Sequence, residues 1–335
     1  MAHIDSPMTV IGAGAWGTAL ALLLARNGST IRLWGNDPAQ LADLQSHREN
    51  RRYLPGHTFP ENLHIVPDLK ESLSDVRDIL IVVPSHAFRG VLEKIKPHVQ
   101  SPRIAWGTKG LDPTTRQLLH QVVFDVLSEE TPIAALSGPS FAAEVADEKP
   151  TAVSLAGNDL SFIEDLIERF HNKHFRVYQN ADLIGLQLCG TLKNIMAIAV
   201  GVADGLDLGA NARSAIITRG LVEMGRLCDV MGAQSSTLLS LAGVGDLVLT
   251  CTDDQSRNRR FGMAIAKTSD LKAAEKEIGQ AVEGLKNTKQ VYTLAKSHGI
   301  EMPITEQIYA ILHKGEKPES VVSKLLSRAP KWEDE

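Results

Sequence analysis

Lys193 and Asn194 sit in the first half of a largely apolar run, "LCGTLKNIMAIAVGVADG" at 188–205. An ammonium in such a setting is costly unless it is paired or reaches water. A lysine held partly out of water suits acid–base chemistry at a carbonyl or alcohol carbon. As the ammonium it gives a proton to an alkoxide as that forms, and as the amine it takes the proton back. Desolvation and a second cation nearby both lower a lysine pKa from its reference of about 10.4. Lys109, in "WGTKG" at the carboxyl end of an expected strand, is the candidate neighbour. The competing reading is a side chain that snorkels from an apolar helix to the surface, and the helix alone leaves both open.

A second constellation lies in "LAGVGDLVLTCTDDQSRNRRFG" at 241–262. Gly243, Gly245 and Asp246 precede an apolar turn, and Ser256, Arg257 and Asn258 follow it. Arg257 is a fork-shaped donor suited to a phosphate, with hydroxyl and amide groups beside it. The plainer alternatives are that Asp246 caps a helix beginning at Leu247, and that Arg257, Arg259 and Arg260 form a charged surface. Gly138–Pro139–Ser140 is equally open, as a turn with a helix cap or as a loop presenting backbone N–H groups to a ligand.

The third is "GAGAWG". Gly12, Gly14 and Gly17 form G-x-G-x-x-G between an expected strand and helix, where small residues let a pyrophosphate approach the helix N-terminus. A glycine turn that only packs helix on strand is the alternative. The position that reads the ribose, about 20 residues on, holds Trp34, Gly35 and Asn36 instead of an acid. Without a carboxylate there, a 2′-phosphate meets no repulsion and NADP is tolerated. Asp37 keeps NAD open, unless it serves to cap its own helix.

These residues need elements to hold them. "MTVIG" at 8–12, "TIRLWG" at 30–35, "DILIVVP" at 78–84, "RIAWGTKG" at 103–110, "IAALSGP" at 133–139, "TAVSLAG" at 151–157 and "FRVYQN" at 175–180 read as strands. A helix runs from Trp16 to Asn27, and Asp37–Pro38 supplies an N-cap with proline at the first helical position. Strands separated by helices imply parallel pairing. The stretch 50–63, "NRRYLPGHTFPENL", is expected to be a loop. Beyond residue 180 only helical spacing remains, at 181–203, 212–232, 235–250, 258–267, 281–297 and 304–313. The expected architecture is α/β: a Rossmann-type, doubly wound N-terminal domain over 1–180 and an all-helical domain over 181–335, ending in a solvated "KWEDE" tail.

The bulk properties fit two domains and an isolated small-molecule site. The chain has 335 residues, 43% hydrophobic, with 35 Lys plus Arg against 40 Asp plus Glu and a net charge of −5. That balance gives no general attraction to nucleic acid or an anionic membrane. Three widely spaced cysteines, Cys189, Cys228 and Cys251, fit neither a disulfide framework nor a metal site, which points to a reducing cytosol. "MAHIDSPMTV" has no leader pattern, and "LALLLA" at 20–25 is far short of a membrane span.

Taken together and in order, "GAGAWGTALA", "GTKGL", "LSGPSFAAEVA", "LCGTLKNIMAIAVGVADGLDLGANA", "GVGDLVLTC", "SRNRRFG" and "AVEGL" resemble the bacterial branch of the NAD(P)-dependent glycerol-3-phosphate dehydrogenase family. The resemblance implies reduction of dihydroxyacetone phosphate to sn-glycerol 3-phosphate with NADP or NAD, feeding phospholipid synthesis, by a cytoplasmic homodimer. It makes Lys193 the proton donor and acceptor, with Lys109 and Asp246 completing the polar centre. On the substrate side it places Gly138, Ser140, Asn194, Thr250, Ser256, Arg257 and Asn258. Ala15, Trp16, Asn36, Phe88, Ala142 and Glu283 join Gly12, Gly14, Gly17, Lys109 and Arg257 as cofactor contacts. A dehydrogenase of another small substrate, a nucleotide-binding sensor and a structural protein are the other readings.

Overall fold

The computed structural model describes residues 6–327. The first half runs β1 (Met8–Ile11), α1 (Ala15–Arg26), β2 (Ile31–Trp34), α2 (Pro38–His47), β3 (Glu49–Asn50), β4 (Leu54–Thr58), β5 (Leu63–Ile65), α3 (Leu69–Ser72) and β6 (Asp78–Ile81). It continues with α4 (Ser85–Ile95), β7 (Arg103–Trp106), α5 (Leu119–Val126), β8 (Ile133–Ser137), α6 (Ala142–Ala146), β9 (Thr151–Gly157), α7 (Leu160–Phe170) and β10 (Phe175–Gln179). One eight-stranded sheet results, ordered β10-β9-β8-β7-β6-β1-β2-β5. Every residue of β1, β6, β7 and β8 is buried, as expected for strands covered by helices on both faces. The chain leaves β1 for β2 on one side and returns to β6 on the other. This reversal opens a crevice at the strands' carboxyl ends, the usual ligand site of such sheets.

Two expectations for this half's strands need correction. Pairing is not parallel throughout, because β8 and β9 are antiparallel. Their connection holds only the five-residue α6, about 8 Å of helix, too short to carry the chain back along β8 for a parallel return. The stretch 50–63 is not a plain loop either: β3 and β4 form an antiparallel hairpin, and β5, at its end, pairs with the β2 edge. These strands carry Pro55 and Gly56 and expose most of β4, so no alternation marks them in sequence.

The second half is helical: α8 (Leu183–Gly205), α9 (Gly209–Val230), α10 (Ser235–Leu238), α11 (Asp246–Thr252), α12 (Arg257–Thr268), α13 (Leu271–Ile278), α14 (Glu283–Ser297), α15 (Pro303–Lys314) and α16 (Pro318–Leu326). The segment expected over 235–250 is broken by an irregular turn at Leu241–Gly245, where Gly243 leaves helical geometry. α13 and α16 were not foreseen; α13 buries only Ala274 and Ile278, too few positions to show a period. The "KWEDE" tail lies outside the described residues.

α8 is the axle of this half. By length and composition it could cross a membrane, yet 89% of its most apolar window is buried inside the protein. Backbone contact fixes it against α12: a Cβ on Gly201 would lie 2.0 Å from the Arg259 carbonyl oxygen, and one on Gly262 2.2 Å from that of Ile198. Lys193 and Asn194 on α8 are thereby placed rigidly relative to Arg257 and Asn258 on α12. The three cysteines are free and buried. Where β6 and β7 begin, buried Arg103 grips both carboxylate oxygens of Asp78 and Asp165 besides, a network whose breakage costs about 3–5 kcal/mol because it strands a buried charge.

Candidate active site

Lys193 does not snorkel. Its side chain ends inside the protein, 6% exposed, and donates to Asp246 Oδ1 at 2.7 Å and Thr250 Oγ1 at 2.7 Å. Lys109, on the loop after β7, donates to the other oxygen, Asp246 Oδ2, at 2.6 Å. Asp246 thus bridges two ammonium groups instead of capping α11, and no side chain caps that helix. Thr250 donates in turn to the Asp246 carbonyl oxygen at 2.6 Å, which fixes its lone pairs towards Lys193.

Two cations share one anion here, leaving one net positive charge in the cluster. Burial pushes the Lys193 pKa down to about 8; the Asp246 carboxylate opposes this and Lys109 adds to it. Burial disfavours the Asp246 charge, but Lys109 and Lys193 outweigh it and hold its carboxyl below the ordinary range. A lysine that titrates near neutrality can move a proton in either direction.

The first turn of α12 forms the adjoining wall. Ser256 caps the helix, accepting from Arg259 N. Arg257 is half-buried and touches Gln280 Oε1 at 3.3 Å; burial lowers its pKa while Glu283 opposes the shift. Asn258 donates to Asn194 Oδ1 at 2.9 Å and accepts from Gly284 N at 2.9 Å, locking α8, α12 and α14 together. The basic string is therefore not one charged surface. Arg259 turns inward onto Asp204 at 2.7 Å, and of the three arginines only Arg260 is exposed.

Gly138–Pro139–Ser140 turns beside this centre, with Pro139 packed near Gly245, the residue before Asp246. Ser140 is not a helix cap: its hydroxyl donates to the Gly138 carbonyl at 3.0 Å, and Phe141 occupies the cap position of α6. Sequence reasoning passed over Ser137, just before this turn. Its buried hydroxyl has no hydrogen-bond partner and lies against Gly190, which also packs on the Lys109 stem. Its place next to the S-G-P turn was the only signal.

The glycine turn sits at the switch point. Gly12 has φ +121, and a Cβ there would lie 2.3 Å from the Val82 carbonyl oxygen; one on Gly17 would lie 1.8 Å from that of Gly12. Gly14, Ala15 and Trp16 are half-exposed at the start of α1, which no side chain caps. This cradle fits a pyrophosphate on the helix N-terminus. Asn36 is exposed beyond β2, and Asp37 does cap α2, accepting from Ala39 and Gln40 N–H groups. Ala142 is half-exposed at the start of α6. Glu283 opens α14 with a buried, unpartnered Oε2; burial pushes its pKa up to about 7 against the pull of Arg257 and Lys286. Phe88 is the exception among the expected cofactor contacts. It is wholly buried, edge-on to Trp106 with centroids 5.9 Å apart, so its side chain is a core residue with no surface to offer a ligand.

Comparison with known proteins decides what such a site belongs to. The profile of the NAD-dependent glycerol-3-phosphate dehydrogenase N-terminus matches residues 7–163, and that of the C-terminus matches residues 182–323. The chain belongs to the NAD-dependent glycerol-3-phosphate dehydrogenase family. A glycerol-3-phosphate dehydrogenase (NAD(P)+) of Coxiella burnetii is 56% identical over 334 residues, covering 99% of this chain and 100% of that protein. One from Shewanella halifaxensis is 53% identical over 97% of each chain. The crystal structure of glycerol-3-phosphate dehydrogenase from Coxiella burnetii superposes with a TM-score of 0.95 at 55% identity, over 97% of this chain and 100% of that one. Membership of the glycerol-3-phosphate dehydrogenase family makes the protein an NAD(P)-dependent oxidoreductase and removes the sensor and structural readings.

Proposed function

We propose that the protein interconverts dihydroxyacetone phosphate and sn-glycerol 3-phosphate, with Lys193 moving the proton at the reacting oxygen. The observation that carries this is the Lys193 ammonium, buried and aimed between Asp246 and Thr250 at 2.7 Å from each. Gly12, Gly14, Ala15, Trp16 and Gly17, with Asn36, Ala142, Lys109, Arg257 and Glu283, would hold NAD(P)(H), which would supply or accept the hydride.

The chain's own residues do the rest. Arg257, with Ser256 and Asn258 beside it, holds the substrate phosphate, and a fixed phosphate orients the carbonyl carbon. Asn194, Thr250, Gly138 and Ser140 line the reacting end. Lys193 gives its proton to the developing alkoxide in reduction and removes the hydroxyl proton in oxidation. Asp246 keeps both ammonium groups aimed, and Lys109 lowers the Lys193 pKa while adding positive potential for the alkoxide.

The substrate is a small molecule. A net charge of −5 speaks against a nucleic-acid partner, and burial of the apolar α8 speaks for a core helix over a membrane anchor. Free buried cysteines favour the cytosol, and a homodimer is the commonest assembly of soluble chains.

The test is loss of reduced-nicotinamide absorbance with dihydroxyacetone phosphate, run with NADPH and with NADH, against unphosphorylated dihydroxyacetone. Rapid turnover of the phosphorylated ketone, with at most residual turnover of the unphosphorylated one, is expected. Nucleotide binding without turnover would overturn the substrate assignment.

A further inference from the structure

The β3–β4 hairpin stands beside the carboxyl end of β2, and its tip carries Arg51, Arg52 and Tyr53. It is not a free loop. Asn50, wholly buried, donates from Nδ2 to the Ala13 carbonyl at 3.0 Å and to Thr18 Oγ1 at 2.8 Å, and accepts from Tyr53 N at 3.1 Å. One amide thus ties the tip to the glycine-rich turn and to α1. Gln40 of α2 reaches the same Ala13 carbonyl at 2.6 Å, so turn, hairpin and α2 keep a fixed spacing.

The end of the second strand is where a Rossmann unit reads the adenosine ribose. Here Asn36 is neutral and exposed. Asp37 has one carboxylate oxygen committed to capping α2, and the other faces Arg52 Nη1 at 3.8 Å. Arg51 is held by Asp43, and Glu49 accepts from Gly56 N within the hairpin. Arg52 remains the available cation: it is 65% exposed, stacked over the Tyr53 ring at 4.9 Å, and joined to Asp37 only by a long surface contact. Such contacts are worth little and yield to a phosphate, which a guanidinium binds in a charge-assisted, two-pronged manner.

We propose that Arg52, on a hairpin pinned by Asn50, reads the 2′-phosphate of NADP and makes NADPH the preferred coenzyme. This rests on the glycine turn being the dinucleotide site. It gives the hairpin a task and settles a preference that the missing acid at Asn36 only permits.

Calorimetric titration of the ligand-free protein with 2′,5′-ADP and with 5′-ADP tests it without turnover. The unaltered protein should bind 2′,5′-ADP about tenfold to a hundredfold more tightly, the range of one or two hydrogen bonds to a charged group. Arg52→Gln should remove most of that preference and leave 5′-ADP affinity within about twofold, while Arg51→Gln keeps the preference. Equal binding of the two nucleotides by the unaltered protein, or a preference that survives Arg52→Gln, would overturn the proposal with the dinucleotide site intact. Failure of both nucleotides to bind would instead overturn the reading of the glycine turn.

Discussion

Lys193→Ala lowers kcat for dihydroxyacetone phosphate reduction by about 10²–10⁴-fold, the usual worth of a positioned general acid, and changes KM little. The size follows from the site. No other titratable group occupies the Lys193 position, because Lys109 is drawn to the opposite oxygen of Asp246. The fold survives the change, since Asp246 keeps Lys109 as its counter-ion and Thr250 keeps its bond to the Asp246 carbonyl. The result is read from steady-state kinetics, with NADPH affinity measured alongside as the control for an intact cofactor site. A fall of less than tenfold in kcat would remove Lys193 from the chemistry and return it to a structural role.

Arg257→Ala acts on a different quantity. It raises KM for dihydroxyacetone phosphate about 100-fold, the loss of one or two charge-assisted hydrogen bonds of about 1.5–3 kcal/mol each, with a smaller effect on kcat. The contrast with unphosphorylated dihydroxyacetone isolates the cause: any residual turnover measured at high concentration of that ketone should be nearly unchanged, because the missing contact is to the phosphate. The arginine is free for that contact, being held only by Gln280 at 3.3 Å and by the field of Glu283. Stability should hardly move, because the neighbour that anchors α12 is Arg259, on Asp204. Equal losses for the phosphorylated and unphosphorylated ketone would place the phosphate elsewhere.

Much of this was legible in the residues because their chemistry conflicts with their setting. Lys193 was visible as a charge in an apolar helix, and the glycine turn as a pattern at a strand–helix junction. What sequence could not show was pairing across long separations. Asp246 lies 137 residues from Lys109, and only the fold reveals that it bridges two lysines instead of starting a helix. Periodicity failed where burial is slight or two-sided. The β3–β4 hairpin, with its proline and glycine, read as a loop, and α13 left too faint a stripe. The antiparallel β9 was hidden because strand patterns carry no direction. Phe88 fell on a motif that resembles a cofactor loop, yet helix α4 turns its ring into the core against Trp106.

The most direct test of Lys193 as the proton carrier is the pH dependence of initial rates in both directions. Burial and Lys109 bring its pKa to about 8 despite Asp246. Reduction needs the ammonium, so its kcat/KM should fall as pH rises through about 8. Oxidation of glycerol 3-phosphate needs the free amine, so its kcat/KM should rise through the same pH. Opposed limbs that share one midpoint, both lost in Lys193→Ala, are the predicted result. Profiles that bend the same way in the two directions, or that stay flat between pH 7 and 9, would contradict the account.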